Sequence, residues 1–88
     1  MACRIQLLAA GGNAVVLRVA GWIQAEHVSA MKELIEGAKG VTALDLAEVT
    51  LVDRDVVPFL AACELGGIEL HHCPRFLREW VTKERSNA

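Results

Sequence analysis

The residues of this chain whose types could carry chemistry are three acids, Asp45, Asp53 and Asp55, and a His71-His72-Cys73 run accompanied by Cys3 and Cys63. Clustered acids accept a phosphoryl group in receiver-type domains, but that arrangement needs five strand–helix units and a lysine late in the sheet. This chain has room for four strands and has no Lys between residues 40 and 82. The His-His-Cys run suggests a metal, yet adjacent strand residues point to opposite faces, no C-x-x-C pair is present, and there is no second paired ligand set. Cys3 and Cys63 fall on apolar faces and read as small core residues. Ser29, Ser86 and the Thr residues lie on helix surfaces or ends with no His placed to activate them, and Gly66-Gly67 lacks the spacing and the Lys of a phosphate loop. No catalytic residue, metal or cofactor is therefore expected, and the polar residues at loop positions read as a contact surface.

The stretch that must position those residues runs from Val41 to Pro58. Leu44, Leu46, Val49, Leu51 and Val52 form an apolar run bounded by Gly40 and by charges, the pattern of a buried central strand. After Asp53-Arg54-Asp55 the apolar spacing changes to three and four through Val56, Val57, Phe59, Leu60 and Cys63, which predicts a helix. Proline is harmless in a first helical turn, so the expected register has Asp55 at the N-cap and Pro58 at N3.

Before it, Cys3, Ile5, Leu7 and Ala9 alternate with Arg4, Gln6 and Leu8, and Ala14 to Ala20 alternate likewise, with Gly11-Gly12-Asn13 between them as a tight reversal. Gly21-Trp22-Ile23-Gln24 ends the second strand. Trp22 there either caps the sheet or stands out as a binding anchor. Val28, Met31, Leu34, Ile35 and Ala38 lie on one stripe of a helix over 25–38, closed by Gly37 or Gly40. Beyond Gly66-Gly67, residues 68–73 alternate as an edge strand. Pro74 at N1 then opens a last helix with Phe76, Leu77, Trp80 and Val81 buried, Arg78 in water, and the TKERSNA end frayed.

The expected fold is α/β: an N-terminal hairpin, then two right-handed strand–helix–strand crossovers, giving a small mixed four-stranded sheet with helices layered on it. Loops at the carboxyl ends of parallel strands lie along one edge, which would bring together Trp22 and Gln24, Arg54 and Asp55, and His72 and Cys73. At 88 residues the chain reads as one domain, 1–88, small enough that a second copy is expected to supply burial that the chain cannot. Hydrophobic residues make up 53% of it, yet no apolar run approaches the roughly 20 residues of a membrane span, so no direct membrane insertion is expected. The net charge of −2 gives no basic field for nucleic acid. The start, MACRIQLLAAGG, does not read as a secretory signal, and three unpaired cysteines suit a reducing cytoplasm.

A strand reading A-L-D-L-A-x-V, then x-V-D, then a helix start resembles the STAS family, the domain of the bacterial anti-sigma-factor antagonists and of the tails of sulfate transporters. The matching residues are Leu44-Asp45-Leu46, Val49, Val52 and Asp53, with Gly21 and Ile23 standing where the family shows Gly-x-Leu/Ile-Asp. Gln24 replaces the usual acid there. Where regulated members carry two Ser/Thr and a Gly after the Asp, this chain has Arg54, Asp55 and Val56.

The resemblance implies a STAS-like, non-enzymatic module for protein binding, signalling and regulation of transcription. Its partner would be an anti-sigma factor or a serine kinase of that type, meeting Trp22, Gln24, Asp53, Arg54, Asp55 and Val56. It also implies that Asp55 is a fixed negative charge in place of a phosphorylated serine, although a one-residue slip would put Arg54 there. Small STAS proteins also serve as accessory subunits of membrane transport complexes, and the strand ends with helix N-termini suit an anion site for a small ligand or nucleotide. The sequence leaves these alternatives open. Residues 51 to 57 contain no Ser, Thr or Tyr, and Asp55 brings one charge where a phosphate brings about −1.5 to −2. Incubation with ATP and a serine kinase of the anti-sigma type should therefore leave this segment unmodified by mass spectrometry, and phosphate found on it would overturn the expectation.

Overall fold

Period-two alternation sends successive side chains to opposite faces, and the first two segments of the chain pair on that basis. In the computed structural model, which describes residues 3–9, 11–12, 14–37 and 40–86, they are β1 (Cys3–Ala9) and β2 (Val15–Ile23), antiparallel across a reversal with Gly11 and Gly12 at φ +89° and +56°. Asn13, expected in that reversal, and Ala38, expected on the first helix, lie outside the described residues. A 3₁₀ turn (Ala25–His27) leads into α1 (Val28–Gly37), and β3 (Val41–Val52) returns parallel to β2. A second 3₁₀ turn (Arg54–Val56) and α2 (Val57–Leu65) lead to β4 (Glu69–His71), parallel to β3, and α3 (Arg75–Ser86) follows. The sheet order is β1-β2-β3-β4, so β3 is central as its apolar run predicts.

One row across the sheet reads Leu7, Leu17, Leu44, Leu70. Leu17 and Leu44 at its centre are fully buried, together with Met31 of α1, Leu60 of α2 and Leu77 and Val81 of α3. Each buried side chain of this size contributes about 1.5–3 kcal/mol. The adjacent row, Gln6, Arg18, Asp45, His71, points the other way and is polar throughout. Leu7, expected inside, is 40% exposed because β1 is an edge strand with no neighbour on its outer side.

Several boundaries differ from the sequence expectation, each for a local reason. Strand β2 does not stop at Ala20. Gly21, at φ +89°, carries a register shift against β3 that keeps Trp22 and Ile23 in the sheet. Asp55 is not an N-cap: the turn begins two residues earlier, where the Asp53 carbonyl accepts the Val56 N–H at 2.9 Å, and Asp55 lies exposed inside that turn. Residues 68–73 do not alternate to their end, because His72 adopts φ +55° and leaves the strand, its ring turning to Asp45. Pro74 precedes the helix rather than opening it, its carbonyl accepting the Arg78 N–H at 2.9 Å.

Helix α3 departs furthest. With Leu77 and Val81 filling its inward stripe, Phe76 and Trp80 stand about 100° away around the helix and are 40% and 41% exposed. Arg78 is not a solvent residue: its guanidinium donates to both Glu64 carboxylate oxygens, at 2.9 and 2.6 Å, and Arg85 donates to one of them at 2.9 Å. These bonds hold α3 helical through Ser86 where the sequence suggests fraying.

The Arg78 hydrogen bonds, with burial opposing and Arg85 assisting, hold the Glu64 carboxyl below the usual carboxylate range. A depressed native pKa contributes stability that is present above the ordinary carboxylate value and lost as pH falls through the depressed one. Urea unfolding should show the wild type losing its advantage over Glu64→Gln as pH drops below about 4. At neutral pH that advantage should be about 1 kcal/mol. A difference that stays constant with pH would remove the ionised clasp as its source.

Candidate functional site

The glycine at 21 turns the last residues of β2 so that Ile23 enters the core while Trp22 lies beside Leu51 of β3. Two bonds then tie the strand ends together: the Asp53 N–H donates to the Ile23 carbonyl at 2.9 Å, and the Trp22 indole Nε1–H donates to Asp53 Oδ1 at 2.8 Å. Trp22 is thus neither a free anchor nor a simple cap. Its indole edge is fixed by a carboxylate, and both side chains are half-buried. On the neighbouring turn the half-buried Gln24 donates its backbone N–H to His27 Nδ1 at 2.9 Å, and its carbonyl accepts the His27 N–H.

Arg54 and Asp55 follow on the 3₁₀ turn with both side chains exposed, so opposite charges stand side by side at the start of the helical segment. Val56 is fully buried and belongs to the core, which removes its side chain from the expected contact surface. Leu51 was assigned inside by the apolar run, yet it is 49% exposed next to Trp22. Val49 and Val52 are the buried positions, three apart, because β3 bulges between Val49 and Leu51 and turns Leu51 outward, which no spacing in the sequence marks.

His72 and Cys73 do not join this edge. Strand β4 pairs with β3 only at Ala43, Leu44 and Asp45, so its end lies beside the middle of β3, far short of Asp53. His72 Nδ1 instead sits 3.2 Å from Asp45 Oδ1, and His71 Nε2 sits 2.8 Å from Glu69 Oε1. Burial pushes the Asp45 carboxyl up, but the Ala47 N–H, His72 and Arg18 outweigh this and hold it below the usual range. Among the described residues no group of three His, Cys, Asp or Glu side chains is arranged around a common point for a metal. Cys63 is buried, and desolvation, opposed by Lys32, pushes its thiol up to about 11, as suits a core residue.

In place of His72 and Cys73 the fold brings α3 to the junction. Arg54 and Val57 face Trp80, Lys83 and Glu84 across an open groove of about 240 Å³. No sequence spacing links residue 54 to residues 80–84; the link depends on how α3 is rotated about Leu77 and Val81. What the whole arrangement offers is a fixed indole, an exposed leucine and adjacent opposite charges on a short turn.

Removing the indole N–H with Trp22→Phe should cost about 1 kcal/mol in urea unfolding. Asp53→Ala should cost about the same, and the double variant no more than either alone, because the two changes remove one shared bond. Additive losses would show that the Trp22–Asp53 bond contributes nothing.

No protein-family model matches the sequence, and no curated protein matches it. Two solved structures share its fold. One is the anti-sigma factor antagonist SpoIIAA in its unphosphorylated form, with a TM-score of 0.61 at 18% identity over 86% of this chain and 79% of that one. The other is an uncharacterized DUF3478-family protein with a SpoIIAA-like fold from Shewanella loihica PV-4, with a TM-score of 0.56 at 16% identity over 96% of this chain and 77% of that one. Likeness at these identities establishes the fold: the chain is a STAS-like α/β domain, a mixed four-stranded sheet with three helices.

Proposed function

We propose that this chain is a regulatory protein-interaction module. It engages an anti-sigma factor or a serine kinase of that type through the sheet end that carries Trp22, Gln24, Asp53, Arg54 and Asp55. The observation that supports this most is the bond from Trp22 to Asp53, at 2.8 Å, which makes a rigid platform with the exposed Arg54 and Asp55 beside it. Preorganised aromatic anchors next to charges are what protein interfaces use, since little side-chain freedom remains to be lost on binding. The shared fold with a solved anti-sigma factor antagonist favours the same class of partner.

Asp55 has no capping duty, so its charge is available to the partner, and it stands as a permanent substitute for a switchable serine phosphate. The domain is then held in one signalling state. The partner captured from the source cell by the wild-type chain should be retained about tenfold less by Trp22→Ala and by the charge exchange Arg54→Glu/Asp55→Arg. Urea midpoints of the charge exchange should match wild type, because both side chains are exposed. Equal retention by all three proteins would remove this edge as the contact surface.

A further inference from the structure

The groove between the start of α2 and the last turns of α3 brings together two cations that have no acid partner among the described residues. Arg18, Arg78 and Arg85 each lie within 4 Å of an acid. Arg54 and Lys83, on opposite sides of the groove, form no ion pair among the described residues. Arg4, Lys32 and Arg75 are likewise unpaired among the described residues, but Arg54 and Lys83 line one and the same groove. Trp80, which lines the same groove, is 41% exposed, its indole N–H has no hydrogen-bond partner among the described residues, and the buried Val57 lines the groove with it. Phe76 meets Trp80 edge-to-face with ring centroids 6.2 Å apart, extending the apolar strip one turn along α3.

We infer that this groove binds an acidic segment of a partner protein, with one apolar side chain of the segment seated against Trp80 and Val57 and flanking carboxylates at Arg54 and Lys83. Small-molecule sites enclose most of their ligand, whereas this groove is open and bounded by long charged side chains, which suits a chain segment crossing it. Glu84 at the rim repels an acid at its own end and so gives the segment a direction. The inference rests on the interaction-module reading for the class of ligand, and it adds α3 to a surface otherwise made of strand ends, with Arg54 common to both.

Two tryptophans in distinct settings make the test specific. The indole N–H resonances of Trp22 and Trp80 are assigned with Trp80→Phe and followed by ¹⁵N NMR as short synthetic peptides are added. One peptide is rich in glutamate around a central leucine, and the other has lysine in place of glutamate. The glutamate peptide should move the Trp80 resonance saturably, and Arg54→Gln/Lys83→Gln should weaken its binding about five- to tenfold. Raising the ionic strength should weaken it in the same direction, and the lysine peptide should leave the resonance in place. The inference is overturned if both peptides act alike, if the double variant binds as wild type, if only the Trp22 resonance moves, or if inorganic phosphate alone gives the same saturating shift. Lys83→Gln lies outside the strand-end surface, and Trp22→Ala lies outside the groove. Failure of the peptide titration while Trp22→Ala still weakens partner retention about tenfold sinks the groove alone; peptide binding with partner retention indifferent to Trp22 supports the groove and sinks the strand-end reading.

Discussion

The parallel pairing of β2 with β3 is the constraint that the other elements serve. Leu17 and Leu44 sit side by side at its centre with no solvent exposure, and α1 has to span from the end of one strand to the start of the other. The pairing continues to Ile23 and Val52, well past β4, whose contacts with β3 end at Asp45. Strand ends with few neighbours tend to open. Here the Asp53 N–H to Ile23 bond and the indole-to-carboxylate bond close that end, and the candidate surface is built from the same atoms.

A second dependency concerns α3, which has only two fully buried residues, Leu77 and Val81. So narrow an apolar stripe leaves the rotation and reach of the helix weakly specified. Glu64 supplies what is missing, since its two oxygens take Arg78 and Arg85, just under two turns apart on α3, and so fix the helix along its length. The exposure of Phe76 and Trp80 follows from that fixing. A carboxylate near the end of α2 thereby determines what the other end of α2 faces.

Much of this was legible in the residues. The alternation of Cys3 to Ala9, the apolar run around Leu44 and the three-four spacing after Val56 place the strands and helices within a few residues of where they lie. The STAS-like order of elements was readable because the Gly21 and Leu44-Asp45-Leu46 steps occur in sequence. What escaped were features set by two distant residues at once. Asp55 looked like a cap because caps are judged locally, but the turn starts at Asp53, a residue committed across the sheet to Trp22. Leu51 looked buried because hydropathy cannot show a bulge. His72 and Cys73 look like neighbours of Arg54 only if parallel strands end together, and strand length is poorly encoded when a residue such as His72 can leave the ladder through positive φ. The whole of α3's contribution depended on an ion cluster between residues 64, 78 and 85, which no periodicity reveals.

The bond between Trp22 and Asp53 joins residues 31 apart in sequence. Contacts of that separation require a large loop to be closed first, whereas the β1–β2 hairpin and the turn from α2 into β4 can form from near neighbours. The platform exists only where the ends of β2 and β3 are paired, and it vanishes when that end opens, even if the hairpin survives. A partner that recognises this edge is, in effect, reading whether β2 and β3 are joined to their ends.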